Sequence, residues 1–175
     1  MLTAPHTILL LPRHQVWLQG HGYCDEERLA RVFRQTWQRL PLRDRRAILK
    51  LWREQRLPDA SRAQPAPLIE ALPDWSVGDS NARDLGVLSS VELSATPMRL
   101  CFWAPAVDLL PDEQLATIIA HELAHVAVLA REGSDASQDE EHVNEVLTTA
   151  WGFPPLQLED WAHEHAEALA AARAG

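Results

Sequence analysis

Only two cysteines, Cys24 and Cys101, occur in the 175 residues, far apart and outside any CxxC pattern. That excludes a disulfide framework and offers no thiolate metal site, so a reducing cytoplasm is the expected location. No apolar stretch approaches the roughly 20 residues needed to span a bilayer, so no membrane is expected among the partners. The one early apolar run, Ile8-Leu9-Leu10-Leu11, has no basic region before it and no small-residue cleavage site after it, and does not read as a signal peptide. Internal repeats and low-complexity tracts are also missing.

The net charge of -9 argues against general nucleic-acid affinity, but the charge is uneven. Residues 28–56 hold 10 of the 16 basic side chains, whereas the chain after Leu110 is strongly acidic. Two amphipathic helices exposing Arg to solvent, or packing against the acidic half, explain this stripe. A nucleic-acid or acidic-partner surface is the sharper alternative, and the acidic total weighs against it. With 46% hydrophobic residues, the chain suffices for one domain with a real core, residues 1–175.

Apolar periodicity divides that domain. Strands are expected at 7–11 and 15–18, before a Gly20-His21-Gly22 turn. A helical pattern follows from Asp25, with Leu29, Val32, Phe33, Trp37 and Leu40, then Ile48, Leu51 and Trp52 after Pro41. These stripes are read as core, without chemistry. Pro58, Pro65, Pro67 and Pro73 make 57–76 a loop, with at most a short helix at 68–72, and close an N-terminal part of 1–84. In the metal-site core, 85–175, segments 86–93 and 98–103 read as a hairpin. A helix is expected from Pro111 to about Arg131, stopped by Gly133. Ser137-Gln138-Asp139-Glu140 fits a capping box for the next helix, ending near Trp151-Gly152, and a last helix follows Pro154-Pro155. The fold expected is α+β, a small, mostly antiparallel sheet packed on the 111–131 helix with additional helices.

Inside that helix stands His121-Glu122-Leu123-Ala124-His125, an HExxH motif. At 3.6 residues per turn the two histidines stand one above the other, as two ligands of a tetrahedral Zn2+ site must. Glu122 is neighbour to both, placed to take a proton from water in the metal's open position. Two helical histidines that merely pack are the competing explanation.

The third ligand is less determined. Val128 stands where a metzincin glycine would, so no third histidine of that type exists. Glu141 and Glu145, four apart and opposite the apolar stripe of Val143, Val146 and Leu147, offer a carboxylate ligand and an outer carboxylate holding a histidine in place. Asp139 and Glu140 are read as first-turn acids that favour the helix dipole.

On these residues the segment from about Arg99 to Phe153 resembles the gluzincin branch of zinc metallopeptidases. The step from His125 to Asn144-Glu145 is similar to the thermolysin spacing, which implies Glu145 as ligand. Glu141-His142-Val143-Asn144-Glu145, running on to Trp151-Gly152-Phe153, resembles the ExxA(D/N/E) signature of small bacterial HExxH proteins of the ImmA/IrrE-like kind and of M48-like peptidases. That register implies Glu141 as ligand and the residue four later as its outer support, and it is preferred; Asn144 departs from the usual alanine. The resemblance covers about a third of the chain and implies a zincin-like fold.

The expected function is that of a small cytoplasmic zinc metallopeptidase, cleaving a peptide or protein substrate by Glu122-assisted attack of zinc-bound water. His142, His163, His165 and Tyr23 are the candidates for oxyanion stabilisation. A non-enzymatic, metal-stabilised regulatory module using basic helices within 28–56 is the alternative, and a hydrolase acting on something other than peptides shares the same chemistry.

Overall fold

The N-terminal apolar residues form a hairpin in the computed structural model, which describes residues 6–11, 14–55, 67–72, 89–93, 95, 98–155 and 171. Strand β1 (His6–Leu11) pairs antiparallel with β2 (His14–Gln19) and turns Ile8, Val16 and Leu18 into the core. Helices α1 (Glu26–Arg39) and α2 (Leu42–Glu54) follow. Asp25 starts α1 by accepting a hydrogen bond from the Arg28 amide at 2.9 Å. Leu29, Val32, Phe33, Trp37, Ile48 and Trp52 are buried, with Trp37 and Trp52 stacked at 5.7 Å. The apolar stripes are therefore core, as their spacing implies.

Strands β3 (Leu68–Leu72), β4 (Ser89–Glu92) and β5 (Arg99–Trp103) complete a sheet of order β1-β2-β3-β5-β4. The sheet is mixed, where the sequence suggests a mostly antiparallel one: β2 with β3 and β3 with β5 are parallel, and only the outer pairs are antiparallel. Parallel neighbours need a long crossover, and α1 and α2 supply it between β2 and β3. The short helix suggested at 68–72 is in fact the central strand. Leu, Glu and Ala favour helix in isolation, but five residues cannot nucleate one. Flanked on both sides, Ile69, Glu70 and Ala71 are buried, as in a parallel strand. The β4–β5 hairpin is found within the expected segments, Ser89 opposite Phe102 and Glu92 opposite Arg99. Residues 86–88 of that expectation, the rest of the Pro-rich loop and the helix after Pro155 lie outside the described residues.

After α3 (Ala104–Leu109) comes α4 (Asp112–Glu132), starting after Pro111. Every residue from 115 to 128 is buried, so α4 is covered on all sides, and the polar side chains it carries there, His121, Glu122 and His125 among them, are held inside the molecule. Gly133 ends it with φ 100° and ψ 180°, a conformation essentially reserved for glycine. The chain then doubles back through α5 (Ser134–Ser137) and α6 (Glu140–Glu145). Ser137 does not cap α6. Asp139 does, accepting from the amides of Glu141 and His142 at 3.1 and 3.2 Å.

A π-helical turn, Val146–Ala150, delivers Trp151 to Asp44 of α2, its Nε1 donating at 2.8 Å. Arg131 of α4 donates to the same carboxylate at 3.1 Å. The end of α4, helix α2 and the π-helical turn are thus tied together at one buried acid. Part of the basic stripe is also engaged by the protein's own acid and carbonyl groups. Arg28 and Arg31 bond Asp112 at 2.9 and 2.7 Å, and Arg28 also donates to the carbonyls of Val107 and Leu110. The Asp112 carboxyl is held below its ordinary range by Arg31 and then Arg28. Among the described residues no helix is long and apolar enough to cross a membrane.

Candidate metal centre

The two histidines of HExxH occupy one face of α4 and are almost fully buried, His121 at 9% exposure and His125 at 8%. Their Nε2 atoms lie 3.1 Å apart, the rings edge to face. Across them stands Glu140, with Oε2 3.4 Å from His121 Nε2 and Oε1 3.4 Å from His125 Nε2. Among the described residues this His121, His125 and Glu140 group is the one in which three or more metal-type donors converge, and it can hold a metal ion.

The donor set fits a divalent cation on its own geometry. Metal–nitrogen bonds of 2.0–2.1 Å in a tetrahedron place two donor atoms about 3.3–3.4 Å apart, near the separations found. Ligation also requires neutral imidazoles. In His125 the Nδ1 lies 2.6 Å from the Ser137 carbonyl, which can only accept, so Nδ1 carries a proton and Nε2 is the nitrogen turned to the centre for a metal. His121 meets the requirement through burial, which pulls its pKa down to about 4, helped by His125 and opposed by Asn144. Asn144 stands beside that ring, but His121 Nδ1 has no hydrogen-bond partner of good geometry, so the contact is loose.

Glu140, which the sequence assigns to the helix dipole, is the carboxylate that the structure brings beside the histidines. The structure brings neither Glu141 nor Glu145 into the histidine group. The physical reason is the cap. Because Asp139, not Ser137, begins α6, Glu140 becomes its first residue and projects toward α4. Glu141 is exposed on the next position, and Glu145, 71% exposed, has His142 Nδ1 at 3.9 Å. A signal was available: Glu140 with Asn144 keeps the four-residue step of the ExxA(D/N/E) pattern, one residue earlier than the Glu141 register.

Glu122 is buried at 4% exposure, and burial pushes its carboxyl up to about 8, with Glu140 adding to the rise. The opposing influence is Ser89 of β4, whose hydroxyl donates to Glu122 Oε1 at 2.5 Å. Among the described residues β4 is an edge of the sheet and packs on α4, so the buried carboxylate, the histidine pair and the outer strand adjoin one another. Of the suggested oxyanion groups, His142 Nε2 is engaged by Glu132 at 2.8 Å and Tyr23 is exposed. His163 and His165 lie outside the described residues. Compared with models of protein families, with curated proteins and with solved structures, the chain matches none.

Proposed function

We propose that this chain is a zinc-dependent hydrolase of minimal gluzincin type and zincin-like fold, acting on a peptide bond. The observation that carries the reading is the convergence of two imidazole nitrogens and one carboxylate beside a separate, buried glutamate. His121, His125 and Glu140 would hold the ion, in a set of two nitrogens and one oxygen that suits Zn2+ and keeps a fourth position for substrate. When bound, the metal supplies a Lewis acid that polarises a carbonyl and makes water acidic near neutral pH.

The remaining roles belong to the chain's own side chains. Glu122 accepts a proton on Oε2, the oxygen that Ser89 does not bond, and returns it to the departing amine. A carboxyl with a pKa raised toward neutrality suits both transfers, and a cation beside it would draw that value down again. The place of β4 at the edge of the sheet among the described residues favours a peptide over other substrates, since an extended chain that paired with it would run past Glu122.

Metal analysis and a digest test the reading together. Purified wild type is expected to hold about one zinc per chain and to generate new termini in a mixed peptide library read by mass spectrometry. His121→Ala should lose the zinc. Glu122→Gln should keep zinc and lose cleavage, and cleavage that persists in Glu122→Gln would sink the enzymatic reading while leaving the metal site intact.

A further inference from the structure

We propose that Ser89 is the positioning residue of Glu122, its hydroxyl fixing Oε1 so that Oε2 alone is left to exchange a proton. The proposal rests on the hydrolase reading above, yet the contact itself is a matter of geometry. Glu122 comes from the middle of α4 and Ser89 from β4, separated by 33 residues and joined at 2.5 Å. In the β4–β5 register Ser89 lies opposite Phe102, which is 1% exposed, while Ser90 lies opposite Cys101. Successive side chains of a strand point to opposite faces, so of the two serines only Ser89 turns toward α4.

A buried carboxylate needs such a donor. Its terminal torsion is broad and two-fold, so packing alone does not decide which oxygen faces the metal donors. Left without a hydrogen bond in an apolar wall, it would carry a desolvation cost that turning toward water relieves. Among the described residues Ser89 is the group that bonds the Glu122 carboxylate. Its place on the edge strand also means that the base is aligned by the same element an extended substrate would pair with.

The test uses cobalt(II)-loaded full-length protein titrated with acetohydroxamate and followed by its visible spectrum. A hydroxamate chelates the metal and shares its acidic proton with an adjacent carboxylate, so its affinity reports where that carboxylate points. Ser89→Ala is expected to weaken acetohydroxamate about tenfold, the size of one hydrogen bond to a charged group. Ser89→Thr should restore it, because threonine keeps the hydroxyl and suits a strand. Cobalt affinity should stay within about twofold in both, since neither variant touches a ligand. In a Glu122→Gln background, Ser89→Ala should add nothing, as two residues acting through one contact are not additive. An unchanged hydroxamate affinity in Ser89→Ala, an equal loss in the Glu122→Gln background, or no rescue by threonine would each overturn the proposal. So would a wild type that loads with cobalt but ignores hydroxamate. A wild type that takes up neither cobalt nor zinc would instead sink the metal site itself.

Discussion

The two histidines and the carboxylate reach the same point by different routes. His121 and His125 stand on the 21-residue helix α4, in a stretch buried from 115 to 128. Glu140 stands on the first turn of α6, which has 6 residues, and its side chain is 66% exposed. The histidine pair is therefore fixed by the core, whereas the carboxylate is fixed by a turn and a cap. Packing sets the first to within rotamer precision. The second depends on a few hydrogen bonds, and is where the site is expected to yield.

The largest effect separates ligands from neighbours. Glu140→Gln should lower zinc affinity by more than the roughly 10- to 100-fold typical of an outer partner, while Glu141→Gln and Glu145→Gln should each stay below that range. Chelator competition on the three variants measures it directly. Zinc loss in Glu141→Gln with retention in Glu140→Gln would restore the register that the sequence alone favours. His125→Ala should abolish binding in the same assay, because it removes a ligand that the core cannot replace.

Next comes the turn that separates the two routes. Gly133 occupies a backbone region costly to any other residue, and a Cβ there would meet nothing within 4 Å. Gly133→Ala is thus a test of backbone strain alone, expected to cost on the order of 1–3 kcal/mol. Urea denaturation of the metal-free protein checks that figure. Because α5 carries the carbonyl that fixes the His125 tautomer, zinc affinity should fall as well. Lower stability with unaltered zinc affinity would detach the turn from the site.

These contrasts explain what the sequence discloses. HExxH brings its two histidines together through local spacing on one helix, and apolar periodicity fixes α1, α2 and α4 for the same reason. The parallel pairing of β3 was not legible, since Leu-Ile-Glu-Ala-Leu carries no alternation and its neighbours lie far along the chain. The carboxylate that stands beside the histidines is Glu140, one residue before the Glu141 that the sequence favours, because a cap decides which residue starts the helix. Ser137 and Asp139 are both good cap residues, and only the fold of the α4–α5 turn selects between them.

That cap gives a smaller effect. Asp139→Ala removes the acceptor of two amides at the start of α6 and should destabilise the protein by about 1 kcal/mol. If Glu140 is held chiefly through its helix, the loss appears as roughly a fivefold weaker zinc complex, the factor equivalent to that energy. Asp139→Asn, which still accepts, should recover most of it. Equal zinc affinity in all three proteins would show that Glu140 reaches the histidines without help from its cap.

The smallest effect is expected where soft donors exist but are held in check. Cys24 and Cys101 are the only thiols, and a zinc ion prefers the thiolate form. Burial pushes Cys24 up to about 12, with Asp108 adding to it, and pushes Cys101 up to about 11. A raised value keeps the thiol protonated, so at pH 8 Cys24 should be alkylated more slowly in the folded protein than an ordinary cysteine. Iodoacetamide labelling of folded and urea-unfolded protein measures the difference. Above pH 9 the folded-state reaction should climb steeply while the unfolded one levels off. Replacing both cysteines by alanine should leave zinc content unchanged, since neither thiol converges with the His121, His125 and Glu140 group. A loss of zinc in that double variant would move the metal away from the imidazole–carboxylate set altogether.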